Sequence, residues 1–251
     1  MQTRVIINGA RGKMGRITSD TLKNHPAFQV VGELGREDNL QQAILESQAQ
    51  IVVELTQADC VYENSVTIIR NNAHPVIGAT GLMPDQIQSL KALAFEKKLG
   101  GIIVPNFSIA AVLMMQFAAF AARSLPDVEI IEAHHPLKLD APSGTAMKTA
   151  EMIKEARGDK KNQFPIKEII PHARGADYQD VLIHSLRLPG VLAQQSVIFG
   201  NTGETLSITH NSIDRSCFMP GLLLACQEVL QLNELYYGLE QLLPQHTFEI
   251  F

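Results

Sequence analysis

The feature that most constrains the fold is a regular alternation in the first hundred residues. Short runs rich in valine and isoleucine recur at residues 4–8, 28–34, 51–55, 75–78 and 101–105, and helix-like stretches at 14–24, 39–47, 59–72 and 84–98 lie between them. Continuous apolar strands separated by amphipathic helices bury both faces of a sheet, which predicts a Rossmann-like, doubly wound parallel α/β sheet. The first run leads directly into Gly9, Gly12 and Gly15 of "VIINGARGKMGR". Glycines at such a strand-to-helix turn let a phosphate reach the backbone, where the first-turn amides and the helix dipole receive it. The spacing GxxGxxG is weak alone, and its place inside a βαβ unit is what points to a dinucleotide. A tight turn that binds nothing is the alternative.

The pattern changes after the fifth run. "SIAAVLMMQFAAFAA" (residues 108–122) reads as a buried helix, too short for a membrane span and interrupted by Gln116. A strand at 127–135, a helix at 143–156 and a polar stretch at 157–180 follow. Three β-like runs at 181–189, 191–200 and 204–213 then come with no helix between them, which predicts a second α+β domain on a mixed or antiparallel sheet. A last apolar helix at 219–232 resembles the first half and is expected to pack back onto it. The expected organisation is a dinucleotide-binding domain from residues 1–106 plus 216–251, and a substrate-binding and oligomerisation domain from 107–215. Over 251 residues the net charge is −5, which excludes a general nucleic-acid binder. Cys60, Cys217 and Cys226 form no CxxC pair, so reduced thiols are expected, and the N-terminal run reads as a strand rather than a secretory segment. Both point to a cytoplasmic protein.

Two stretches carry chemistry. A dinucleotide site commonly places an acidic residue at the tip of the second strand, on the ribose hydroxyls. Here "VVGELGRED" has Gly35 followed by Arg36, which leaves room and positive charge for a ribose 2'-phosphate, with Lys13 as a second cation. That favours NADPH over NADH, although Arg36 also reads as an ordinary surface arginine. The second stretch, "EAHHPLKLDAPSGTA" (residues 132–146), sets His134, His135 and Lys138 beside Ser143, Gly144 and Thr145. A helix N-terminus with hydroxyls binds carboxylate, an ammonium adds complementary charge, and histidine supplies a proton near neutral pH. A solvated loop, with Ser143 as helix N-cap and Asp140 holding the turn, is the competing reading. No metal is expected, because adjacent histidines on an extended chain point to opposite sides.

Together, "GARGKMG" and "EAHHPLKLDAPSGTA" make the chain resemble the dihydrodipicolinate reductase family, and the likeness runs through "GATG" (78–81), "VPNFSIA" (104–110) and "DRSCFMPG" (214–221). The resemblance implies reduction of the cyclic product of aspartate semialdehyde and pyruvate to tetrahydrodipicolinate, in diaminopimelate and lysine biosynthesis. It makes His134 the proton donor and Lys138 the group that polarises the substrate. His135, Ser143, Gly144 and Thr145 would hold the small dicarboxylate. Gly9, Gly12, Lys13 and Met14 would meet the pyrophosphate, and Gly78, Ala79, Thr80, Val104, Pro105, Asn106 and Phe107 would line the nicotinamide. A homotetramer assembled through the second domain's sheet is also implied. The chain departs from the family's usual pattern at Gly35, at Gln57, and in "RLPGVLAQQSVIFG", which lacks a common Gly-Glu-His sequence. Two other readings are a non-catalytic dinucleotide sensor and a different two-domain Rossmann dehydrogenase. A sensor needs no proton donor beside an anion-binding turn, and an aldehyde dehydrogenase would want a cysteine between residues 107 and 215, where there is none.

Overall fold

The computed structural model describes residues 2–160 and 167–244. The chain begins with β1 (Thr3–Asn8), α1 (Lys13–Lys23), β2 (Phe28–Leu34), α2 (Leu40–Ser47), β3 (Ile51–Glu54), α3 (Val61–Arg70), β4 (His74–Ile77), α4 (Pro84–Lys97) and β5 (Gly101–Ile103). It continues through α5 (Ile109–Ala122), β6 (Asp127–His134), α6 (Gly144–Arg157), β7 (Ala176–Tyr178), β8 (Val181–Arg187), β9 (Ala193–Asn201) and β10 (Glu204–Ser212). A 3₁₀ turn at Arg215–Phe218, α7 (Met219–Glu228) and β11 (Leu235–Tyr237) complete it. Two compact units result, one running up to Ile109 and resuming at Arg215, the other spanning Ala110–Asp214.

In the first unit the strands lie in the order β2-β1-β3-β4-β5-β11, and every pair is parallel. Strand direction of travel reverses between β1 and β3, the kind of edge at which open α/β sheets hold ligands. β3 is buried along its whole length, as a strand covered on both faces must be. One face packs Ile6, Leu34 and Val52 against Leu40, Ile44 and Ile68, and Ile77, Ile103 and Leu235 pack with Val61, Ile69, Leu90 and Ala94. The chain's return supplies both α7 and β11. α7 buries Leu222, Ala225 and Cys226, and the Cys226 thiol is pushed up to about 12 by burial. The expected helix at 219–232 is shorter, because a 3₁₀ turn at Val229–Gln231 replaces its end. Phe107 also belongs to this unit, although its boundary was expected at residue 106: its ring packs against Gly78, and its carbonyl oxygen against Gly221. The last residues of the expected 216–251 span, from 245 on, lie outside the described residues.

The second unit is built on a mixed sheet in the order β10-β9-β6-β8-β7. β6 and β8 run parallel, and the other neighbours are antiparallel. A parallel pair needs a crossover, and α6 provides it. On α6, Thr149 Oγ1 accepts a hydrogen bond from Gln195 of β9 (2.7 Å), and Arg157 donates to the carbonyls of Pro126 and Asp180. The helix thereby covers the face that carries Ile130, Ile183 and Val197, all fully buried or nearly so. Among the described residues, no helix is long and apolar enough to cross a membrane.

Candidate active site

Gly9 directly follows β1 with φ +89°, and a Cβ there would lie 2.7 Å from the Leu55 carbonyl oxygen. A Cβ on Gly15 would lie 2.2 Å from the Gly9 carbonyl oxygen. Glycine alone fits at either point, so the loop runs tightly between β3 and the start of α1. α1 begins after Gly12, which has no side chain to cap it, and its first-turn amides have no acceptor within the helix. A cleft of about 520 Å³ opens onto Gly9 and Gly12, with Arg11, Arg36, Asp38 and Thr56 among its walls. A backbone cradle that any Cβ would fill, beside an uncapped helix start, fits a dinucleotide pyrophosphate.

The charges of the cleft differ in part from those the sequence suggested. Gly35 stands just past β2, and Arg36 lines the cleft. The second cation there is Arg11, which sequence reasoning passed over; Lys13 instead opens α1 as an exposed residue outside the walls, followed by Met14. Arg11 lies across Gly35 and reaches Asp38 (3.4 Å), whose carboxylate also accepts the Gly35 amide (2.7 Å). Asp38 is thus engaged in the turn after the strand tip, and Glu37 and Asp59 are further acidic residues among the cleft walls. Behind the loop, Glu54 is fully buried and ties β1 to β3: Asn8 donates to it (2.6 Å), as does the Thr56 amide (2.8 Å). Burial pushes its carboxyl above the usual range despite those donors. Gly78, Ala79 and Thr80 follow β4, and Val104, Pro105, Asn106 and Phe107 follow β5, farther along the same sheet edge and outside the cleft walls. The Val104 amide donates to Ile77 (2.7 Å), and Asn106 accepts from the Ser108 amide (2.9 Å).

His134 is the last residue of β6. Its Nδ1 lies 2.5 Å from Glu132, two residues earlier on the same face of the strand, and the Glu132 carboxylate is wholly buried. Arg187, in register opposite His134 on β8, approaches that carboxylate with both terminal nitrogens at 3.0 to 3.1 Å. Although burial works to raise the Glu132 pKa, Arg187, Ser185 and His134 hold it below the usual value. A carboxylate only accepts, so the imidazole proton of the neutral ring sits on Nδ1 and Nε2 is left for other partners. Burial lowers the His134 pKa, the nearby Lys138 and Arg187 charges lower it further, and Glu132 opposes them.

After His134 the chain turns, with the Lys138 amide donating to His135 (3.1 Å) and the His135 amide to Leu192 (3.4 Å). Lys138, largely shielded, pairs with Asp140 (2.6 Å), so Asp140 holds the turn through the lysine. Ser143 caps α6, its buried hydroxyl accepting the Ala146 amide (3.2 Å). Gly144 has open space where a Cβ would point, and Thr145 follows it on the first turn. His134, Lys138 and the opening of α6 thus belong to one side of the mixed sheet. Glu132 and Arg187 went unrecognised in the sequence. The i, i+2 spacing of "EAH" on a strand was the available signal for Glu132, whereas Arg187 depends on cross-strand register.

A doubly wound sheet with a phosphate cradle, joined in one chain to a mixed sheet carrying a histidine–lysine loop beside a helix start, defines a two-unit dinucleotide-dependent oxidoreductase. The chain belongs to the dihydrodipicolinate reductase family: residues 3–107 match the family's N-terminal model and residues 110–243 its C-terminal model. It is 63% identical to a 4-hydroxy-tetrahydrodipicolinate reductase of Legionella pneumophila (strain Lens) and 49% identical to one of Coxiella burnetii (strain Dugway 5J108-111). Each match covers 97% of this chain and all of the relative. The solved dipicolinate-bound dihydrodipicolinate reductase of Paenisporosarcina sp. TG-14 is 42% identical, with a TM-score of 0.89 over 97% of this chain and all of that one. An amine dehydrogenase of Mycobacterium smegmatis, 12% identical with a TM-score of 0.67 over 99% of this chain and 98% of its own, shares the fold alone.

Proposed function

We infer that this chain reduces 4-hydroxy-tetrahydrodipicolinate to tetrahydrodipicolinate, the reaction of diaminopimelate and lysine biosynthesis in the cytoplasm. The observation that carries the reading is the buried Glu132 holding His134 at the end of β6, next to Lys138 and the open first turn of α6, in a chain matched end to end by named reductases. When bound, a reduced nicotinamide would supply the hydride. Gly9, Gly12 and the first-turn amides of Lys13 and Met14 hold its pyrophosphate, while residues 78–80 and 104–107 line its ring. Arg11 and Arg36 meet the ribose 2'-phosphate, which favours NADPH over NADH.

The remaining steps belong to the chain's own side chains. Lys138 and the Gly144–Thr145 turn, with His135, bind the dicarboxylate and polarise it, the lysine exchanging Asp140 for a substrate carboxylate. That incoming negative charge raises the His134 pKa, so the imidazolium is populated when the proton is needed. His134 then gives up its Nε2 proton and returns to the neutral, Nδ1-protonated ring, and the substrate's 4-hydroxyl departs as water, so that one hydride and one proton balance the conversion. Assembly as a homotetramer is part of the reading. It is supported by Ile131 and Leu186, each 37% exposed on the sheet face away from α6.

The test is nicotinamide oxidation, with the synthase that condenses pyruvate and aspartate semialdehyde forming the substrate in place. Turnover with that couple and none with simple 2-oxo acids is expected, together with tighter binding of NADPH than NADH. Equal dissociation constants for the two nucleotides would remove the cofactor assignment, and absence of turnover would remove the reaction.

A further inference from the structure

Arg187 has more contacts than its pairing with Glu132 requires. Besides the two-nitrogen approach to that carboxylate, its Nε donates to the Lys138 carbonyl (3.2 Å), and its Nη2 donates to the Asp140 carbonyl (2.6 Å). One guanidinium thus touches both the group that holds His134 and the backbone that carries Lys138. Its side chain is 20% exposed, and the Glu132 side chain is fully buried. A planar fork with five donors can satisfy such an arrangement, and an ammonium cannot.

We propose that Glu132 and Arg187 are positioning residues that couple the two halves of the proton-transfer site: Glu132 fixes the tautomer and direction of His134, and Arg187 fixes Glu132 and the Lys138 loop together. The proposal rests on the reading of His134 as proton donor and goes beyond it by assigning what orients the donor. In the proton balance, His134 loses its Nε2 proton to the substrate and keeps the Nδ1 proton bonded to Glu132. Glu132 stays ionised throughout, and solvent later restores the Nε2 proton. The charged groups facing the imidazole are Glu132, Arg187 and Lys138, and the lysine is itself paired with Asp140.

Three measurements test it. In the unmutated protein, ¹⁵N NMR of histidine-labelled material should show neutral His134 as a single Nδ1-protonated tautomer; a majority Nε2-protonated ring would overturn the proposal without any variant needing to fold. In Glu132→Gln, turnover should fall roughly 10- to 100-fold. The loss of activity on the alkaline side should move to lower pH, because the carboxylate that favours the imidazolium is gone, while NADPH affinity stays within about twofold. In Arg187→Lys, which keeps the charge but not the fork, affinity for dipicolinate should weaken along with turnover, because Lys138 also loses its support. A lower melting temperature in Glu132→Gln with an unmoved pH profile would mean a purely structural pair. If the unmutated protein turns over no substrate, the functional reading fails, and the tautomer measurement still decides this one.

Discussion

His134, the proposed proton donor, sits at the last position of a strand whose backbone is held by β8 and β9 on either side. Its chemistry follows from what surrounds it. Burial and two nearby cations keep its pKa below the ordinary histidine value of 6.5, so most of the free enzyme carries a neutral ring at neutral pH. A general acid must be protonated, and activity should therefore decline as pH rises through that pKa. In kcat/KM, which reports the free enzyme, the decline should centre below pH 6.5; in kcat, where bound dicarboxylate adds negative charge, it should centre higher. Coincident profiles would contradict the electrostatic role given to the substrate. His134→Gln keeps hydrogen bonding without an acid, and turnover should drop by roughly 10² to 10⁴ while NADPH affinity holds. Lys138→Met keeps the stem and removes the charge, so turnover and substrate affinity should both suffer. Near-normal rates in both variants would return the loop to a structural role. The histidines and the lysine were legible because they lie within five residues of each other. Arg187, nearly fifty residues beyond Lys138, becomes a neighbour only through the β6–β8 register, and Arg11 meets Gly35 only through the β1–β2 pairing.

At the scale of elements, the opening of α6 separates binding from stability. Gly144 sits in the first turn with no atom within 4 Å of a would-be Cβ, and its φ is not positive. Alanine there should fit without strain and stabilise the protein by roughly 0.4 to 1 kcal/mol through the unfolded chain. The same methyl would stand where a carboxylate must approach the first-turn amides. Gly144→Ala should therefore raise the melting temperature by a few degrees and weaken dipicolinate binding at least several-fold. A variant that gains stability and binds dipicolinate normally would move the anion site elsewhere. Long elements with a clear period were readable from the chain: β2 falls at 28–34 as expected, and Ser143 caps α6. The three-residue strands β7 and β11 were not, because "ADY" and "LYY" lack the valine and isoleucine run that marked the equally short β5. "LYY" becomes a strand only because the edge of β5 is there to pair with it.

At the scale of the molecule, the first unit is discontinuous in sequence and the second is continuous. The segment up to Ile109 lacks α7, β11 and the 3₁₀ turn at Leu239–Leu242, and with them Leu222, Ala225, Leu235 and Leu239, all buried at 1% exposure or less. By itself it would leave one edge of β5 unpaired and apolar surface in water, so it should aggregate or remain unfolded. Its two pieces already meet where the Phe107 carbonyl packs on Gly221, so joining residue 109 to residue 215 through a Gly/Ser linker of about eight residues needs little reach. This fused unit holds the complete six-stranded sheet, the glycine loop and both cleft arginines. It should fold cooperatively, bind NADPH within about tenfold of the full chain, and show no reductase activity, because His134 and Lys138 are absent. Circular dichroism establishes folding, and nucleotide titration by calorimetry reads the affinity. A folded fused unit that does not bind NADPH would show that the sheet edge and its glycine loop are insufficient to form the nucleotide site, whereas failure to fold would show that this sheet depends on residues 110–214 for its stability.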